Sequence, residues 1–252
     1  MKLQFPKVSV VISTYNRPKM LWEAIESVLN QTFRNFELIV VDDASNTAEK
    51  IGMEMKMRGM FDGIQYAFIN MDENSGYQCA PKNVGIQHAR GSYIAYLDDD
   101  NLWDEDHLEH LVKAIEREGV DLVYSRWRYE GDGPMSGKET QFIPPSQEAI
   151  VALLDSPMNN FIDTSSILHS KAAVVGMLGS APWNTEVHRF ADWYLIGSCI
   201  QAGLQLYAVD KVSFTYRWHG ENIQLTRPVT KKEVYLTNKF QPKWKGLKET
   251  VA

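Results

Sequence analysis

Three consecutive carboxylates, Asp98-Asp99-Asp100, follow the apolar run Tyr93-Ile-Ala-Tyr-Leu97. Like charges this close repel one another, so the arrangement costs stability unless a cation shares them. Hard divalent cations take carboxylate oxygens and keep waters and substrate phosphates as their other ligands. The triple therefore points to a divalent metal that presents a phosphate-bearing ligand; the alternative is a solvated turn that caps the next helix. Asp42-Asp43 closes a second apolar run, Phe36-Glu-Leu-Ile-Val-Val41. A carboxylate there can accept hydrogen bonds from a base or a ribose hydroxyl, or simply cap a helix. Ser13-Thr14-Tyr15 closes the first run, and Tyr15 can stack on a base or pack against the fold.

Further candidates lie downstream. Asp192 sits in Arg189-Phe-Ala-Asp-Trp-Tyr194. At a helix start the dipole favours its ionised form, which suits either a cap or a general base that takes a proton from a hydroxyl. Trp183 and Trp193 can offer an apolar platform to a sugar ring or pack in the core. His219 lies in Tyr216-Arg-Trp-His-Gly-Glu-Asn222. His107 and His110 fall opposite an apolar helical stripe and are expected on a solvated face, not at a zinc ion.

The elements that must hold these residues follow two hydrophobic periods. Val8-Ser-Val-Val-Ile12 suits a strand buried on both faces. Asn16-Arg-Pro18 starts a helix, with Asn16 as cap and Leu21, Ile25, Val28 and Leu29 at helical spacing. Strands are expected over 36–41, 64–70, 93–97 and 121–124. Helices are expected over 46–58, over 79–90 closed by Gly91, and through Leu108, Leu111, Val112 and Ile115 to Gly119. This alternation predicts an α/β fold, a mostly parallel central sheet flanked by helices. In such sheets ligands bind off the carboxyl ends of the strands, where the polar clusters fall. The second half is less regular: a turn-rich loop at 131–137, helices at 146–154 and from Phe190, strands at 205–209 and 212–218, then a Lys-rich tail.

Composition sets outer limits. The 252 residues carry a formal charge of −6. That argues against nucleic acid as the main partner, because phosphate backbones need a basic face. A nucleotide ligand stays open, since a metal can neutralise its phosphates locally. Two cysteines, Cys79 and Cys199, are expected as buried free thiols in a reducing compartment. The first apolar run reads as a strand and not a signal peptide, and no transmembrane segment is expected. The expected location is cytoplasmic, either free or peripheral to the membrane. The basic, aromatic stretch Lys239-Phe-Gln-Pro-Lys-Trp-Lys245 is open to three readings: a strap on its own domain, contact with a membrane surface, or contact with a partner subunit such as a homodimer mate.

Together these blocks resemble a known family. Val8-Ser-Val-Val-Ile-Ser-Thr-Tyr-Asn-Arg17, Gln31 through Ser45, Lys82-Asn-Val-Gly85 and Gly91 through Asp100 look like successive blocks of glycosyltransferase family 2. In size and layout the chain is similar to the spore-coat polysaccharide type. The resemblance implies the GT-A fold, Rossmann-like with a smaller acceptor-side region. It implies inverting sugar transfer from a UDP- or dTDP-sugar to a carbohydrate or other hydroxyl acceptor, with Mn or Mg. It would divide the chain into a nucleotide-sugar half at 1–130, an acceptor and base half at 131–225 and a tail at 226–252. Ser13, Tyr15, Asp42 and Lys82 would contact the nucleotide, with Asp98 and Asp99 at the ribose or a metal-bound water. Asp100 and His219 would serve the metal, Asp192 would be the base, and Trp183 and Trp193 would face the acceptor. The chain departs from the family where Pro81-Lys82-Asn83 replaces Ala-Arg-Asn, and where Ala191 replaces the first of two acidic residues before Trp193. Competing readings are a nucleotidyltransferase, a receiver-like module and a non-catalytic nucleotide-sugar binder.

Overall fold

The computed structural model describes residues 5–46, 48, 51, 63–140, 162–220 and 222. Strands β1 (Val8–Thr14) and β2 (Phe36–Asp42) are buried at every position. Continuous apolar runs form such strands because both faces of the sheet are covered. Side chains alternate between the faces. Val10 and Ile12, with Leu38 and Val40, join a core that also holds Leu21, Ile25, Leu108 and Leu111. Val11, Ile39 and Val41 join the opposite core with Ile86, Leu195 and Ile196. The first core packs under helices α1 (Pro18–Leu29) and α3 (His107–Glu118). The second packs under α2 (Cys79–His88), α4 (Lys171–Leu178) and α5 (Ala191–Gln201).

The remaining strands are β3 (Gln65–Asn70), β4 (Tyr93–Asp98), β5 (Leu102–Trp103), β6 (Leu122–Gly131), β7 (Ile167–Ser170) and β8 (Leu206–Trp218). They form one sheet in the order β3-β2-β1-β4-β7-β6-β8-β5. The left side, β3 through β4, is parallel. The short β7 runs antiparallel to both β4 and β6 and joins that side to the parallel pair β6 and β8. Leu206–Trp218 is one strand where two were expected, and its pairing slips opposite Ser125 and Arg126. The strand expected over 121–124 runs on to Gly131.

Two glycines bring the chain close to β1. A Cβ at Gly85 would land on the side chain of Val11, so α2 settles directly on the strand. A Cβ at Gly91 would sit 2.6 Å from the Ser9 nitrogen, and the Gly91 amide donates to Ser9 Oγ at 2.8 Å. Gly91 thus serves this approach, while α2 already ends at His88 with Ala89 extended. Gly119 is in the left-handed region and closes α3 as expected. Asn16 does not cap α1; Arg17 holds that place, and Asn16 Oδ1 instead accepts from the Asn46 amide. The helix expected over 146–154 and the tail from Lys231 lie outside the described residues, as does most of the helix expected over 46–58. Among the described residues no helix is long and apolar enough to cross a membrane. Both cysteines are free and buried.

His107 corrects the solvated-face expectation. It is fully buried, stacked on Trp103 with centroids 4.4 Å apart, and its Nδ1 lies 2.8 Å from Ser213 Oγ. It sits at the first helical position, where the chain still faces the sheet, while His110 reaches solvent and pairs with Asp106. Burial pushes the His107 imidazole down to about 3 from 6.5. Between those values the unfolded chain binds a proton that the folded chain refuses, so stability falls as pH falls. From pH 6.5 to 5 the wild type should lose about 2 kcal/mol more than His107→Gln. Urea midpoints at the two pH values check this, and parallel losses in both proteins would refute it.

Candidate active site

The carboxyl ends of β1, β2 and β4 open on a cleft of about 300 Å³. It is lined by Ser13, Thr14, Tyr15 and Arg17 after β1, by Asp43 after β2, and by Asp98, Asp99 and Asp100 at the end of β4. The loop before α2 adds Asn74, Gly76, Tyr77 and Gln78, and later segments add Asp163, Thr164, Arg189, Asp192, Tyr216 and Asn222. Strand alternation aims neighbouring carboxylates differently. Asp98 follows Tyr96 onto the α2 face, where Lys82 Nζ meets its Oδ1 at 2.8 Å. Asp99 accepts from Thr14 Oγ1 at 2.7 Å and from Arg17 Nη1 at 3.3 Å. Asp100 Oδ2 lies 3.0 Å from Arg17 Nη1 and 3.1 Å from His219 Nε2.

Charge is divided unevenly along this run. Burial, then the neighbouring charge of Asp100, pushes Asp99 up to about 7. Burial also raises Asp98, against the pull of Lys82. Burial opposes the charge of Asp100 as well, but the bond to His219 and the charges of Arg17, His219 and Arg217 outweigh it and hold that carboxyl below its usual range. Asp100 is therefore the firmly ionised member. Its surroundings are braced by the C-terminal block. Arg217 Nε donates to the Asp100 carbonyl and pairs with Glu23. Asn222 accepts from the His219 amide and donates to the Arg217 carbonyl. Among the described residues no three His, Cys, Asp or Glu side chains group as a ready-made cation cage.

Several expected site residues stand elsewhere. Asp42 is fully buried and does not line the cleft. It faces the core side of β2 with Val40, its Oδ1 accepts from the Ser45 amide at 2.6 Å, and burial raises its carboxyl. Asp43, one residue on and so turned the other way, is the carboxylate that lines the cleft. It is held by Ser75 N, Ser75 Oγ and Asn74 Nδ2. The turn that presents it places Ala44 at φ 61, a region L-residues other than Asn and Asp rarely adopt. Lys82 is also fully buried, beneath Asp98, with Trp183 4.8 Å from its Nζ, so it cannot reach into the cleft. Trp183 and Trp193 are 1% exposed and belong to the α2 and α5 core. Trp183 edges a separate hollow that shares no lining residue with the cleft. Ser13, Tyr15, Asp98, Asp99, Asp100 and Asp192 do line the cleft, and His219 meets it through Asp100.

Sequence reading named Thr14 and Asp43 only within their clusters, with no role of their own, and missed Arg17 and Asp163. Arg17 was visible as a lone cation between β1 and α1, on the same sheet edge as the acid run. Asp163 was visible as Asp-x-Ser, a local cap: its Oδ1 accepts from the Ser165 amide at 2.8 Å.

Residues 9–174 match the model of glycosyl transferase family 2. The chain belongs to that family. Over 130 residues it is 35% identical to poly(ribitol-phosphate) beta-N-acetylglucosaminyltransferase TarP of Staphylococcus aureus, covering 50% of this chain and 38% of that protein. Over 247 residues it is 28% identical to an uncharacterized glycosyltransferase of Methanocaldococcus jannaschii, covering 96% of this chain and 81% of that one. It spans about two fifths of the length of the first curated relatives it matches. Its fold is similar to that of S. aureus TarS residues 1–349 in complex with UDP-GlcNAc, with TM-score 0.70 and 17% identity over 91% of this chain and 64% of that one. The mannosyltransferase PcManGT of Pyrobaculum calidifontis, in complex with GDP-Man and Mn2+, matches with TM-score 0.66 and 16% identity over 99% and 77%. The fold of this family 2 chain is therefore GT-A. Membership sets aside the nucleotidyltransferase and receiver readings.

Proposed function

We propose that the cleft transfers a sugar from a nucleotide-diphosphate donor to an acceptor hydroxyl, with inversion at the anomeric carbon. The carrying observation is the contact of Asp100 with His219 on a cleft that Asp192 also lines. Ser13 and Tyr15 would frame the base, and Asp43, in place of Asp42, would accept from the base or ribose. UDP-GlcNAc in TarS supports a nucleotide-sugar donor, and we assign a UDP- or dTDP-sugar. The poly(ribitol-phosphate) acceptor in the name of TarP supports polysaccharide or glycoconjugate synthesis.

The donor set at Asp100 and His219 fits a Mn or Mg ion. Asp100 would offer one carboxylate oxygen and His219 one imidazole nitrogen, both donors that such an ion accepts. A metal held there supplies charge stabilisation for the departing diphosphate. The chain's own residues do the rest. Arg17, beside Asp99 and Asp100, adds a guanidinium where phosphate charge gathers. Asp192 takes the proton of the acceptor hydroxyl. That oxygen bonds to the anomeric carbon from the face opposite the phosphate, and the carbon–oxygen bond to the diphosphate breaks with its electron pair.

Asp100→Ala tests this reading. It should weaken Mn-dependent binding of UDP by roughly 10–100-fold, measured by calorimetry with and without Mn. Equal affinity in the variant and the wild type would overturn the metal assignment.

A further inference from the structure

Asp163 lines the cleft from the start of the three-residue turn Thr164–Ser166, just before β7. Its backbone carbonyl accepts from the Ser166 amide at 3.0 Å and from Ser166 Oγ at 2.6 Å. The same turn is fastened to the acid run. Ser165 Oγ accepts from the Asp98 amide at 3.2 Å and from Asn101 Nδ2 at 2.8 Å. The Ser165 carbonyl accepts from Trp103 Nε1 at 2.8 Å. Asp163 is thus held in fixed relation to the residues assigned to the diphosphate. Its Oδ1 is taken by the Ser165 amide, while Oδ2 has no partner among the described residues.

The electrostatic neighbours locate it further. Burial raises the Asp163 carboxyl well above its usual range, and the charges of Asp98, Asp192 and then Asp100 add to this. Charges at the end of β4 and at the start of α5 thus both act on this cleft-lining group. On the transferase reading, the donor's sugar ring joins the diphosphate to the acceptor hydroxyl at the base, so a cleft carboxyl near both groups is placed to meet it. A carboxyl fixed at such a point discriminates strongly, because a sugar lacking the matching hydroxyl leaves a buried oxygen unpaired.

We propose that Asp163 is the specificity-determining residue for the donor sugar, with Oδ2 accepting hydrogen bonds from its ring hydroxyls. The proposal rests on the transferase reading above. Three nearby carboxyls also favour an uncharged sugar over an acidic one.

The test compares a nucleotide with its sugar conjugate. Calorimetry with Mn would measure UDP against UDP-GlcNAc, and GDP against GDP-mannose, on the wild type, Asp163→Asn and Asp163→Ser. Both substitutions keep a side-chain acceptor for the Ser165 amide, so the turn survives. The sugar nucleotide should bind roughly tenfold more weakly to Asp163→Ser while the bare nucleotide binds as before, with a smaller loss in Asp163→Asn. Equal losses for nucleotide and conjugate would assign Asp163 a purely structural role. No loss for either would also overturn the proposal. A wild type that binds neither nucleotide would overturn the transferase reading, and this inference with it.

Discussion

Asp192→Asn should lower sugar transfer by about 10²–10⁴ in turnover while leaving donor affinity nearly unchanged. The residue lies in the first turn of α5 and lines the same cleft as the acid run. Its Oδ1 accepts from the adjacent Trp193 amide at 2.7 Å, and an asparagine can keep that bond while the basicity is removed. Ala191 beside it offers no second carboxylate. The measurement is a split: kcat falls, KM for the donor holds, and UDP affinity by calorimetry matches the wild type. A variant that retains full turnover would remove Asp192 from the base role. A variant that loses nucleotide affinity in proportion would make it a binding residue instead.

Lys82→Met should destabilise the fold by about 3–5 kcal/mol. The lysine is wholly enclosed, with its Nζ bonded to Asp98 Oδ1 at 2.8 Å and to Gln78, and Trp183 beside it. Methionine fills much of the same space but withdraws the cation bonded to Asp98. The Asp98 carboxyl then faces Asp100 and Asp163 with the charge of Arg17, and no longer that of Lys82, to offset them. The double variant Lys82→Met, Asp98→Asn should recover much of the loss, since the coupling disappears with the charge. Urea melts of the four proteins complete the cycle. If Lys82 were a nucleotide contact, the single variant would keep its stability and lose UDP affinity, and that pattern would contradict the arrangement described here.

The left side of the sheet was legible in the residues because parallel strands covered on both faces read as unbroken apolar runs. Val8–Ile12 and Phe36–Val41 leave few alternatives. The strand ends were legible as a place, but side-chain direction there was not. Asp42 and Asp43 differ by one step of a two-residue period, and that step decides between core and cleft. Lys82 looked like a surface contact because lysine is seldom enclosed; only the tertiary fold shows the carboxylate above it. His107 was assigned to solvent from its helical stripe, yet a helix start is flanked by incoming chain that a stripe does not represent. β7 is four residues long, and so short a strand carries no periodic signal. Asp163 offered only its local Asp-x-Ser cap, since the turn's place at the cleft is set by partners more than 60 residues earlier.

The insertion of β7 between β4 and β6 has a consequence during synthesis on the ribosome. β4 leaves the exit tunnel with β1 already available on one side, but its other edge has to wait for a segment about 70 residues downstream. At typical elongation rates that interval lasts roughly 3–14 s. For those seconds the nascent chain presents an open strand edge next to its most acidic stretch. Exposed edges invite pairing with foreign chains, and inward charges discourage it. The same carboxylates that we assign to donor binding thus stand where an unfinished chain most needs protection from aggregation.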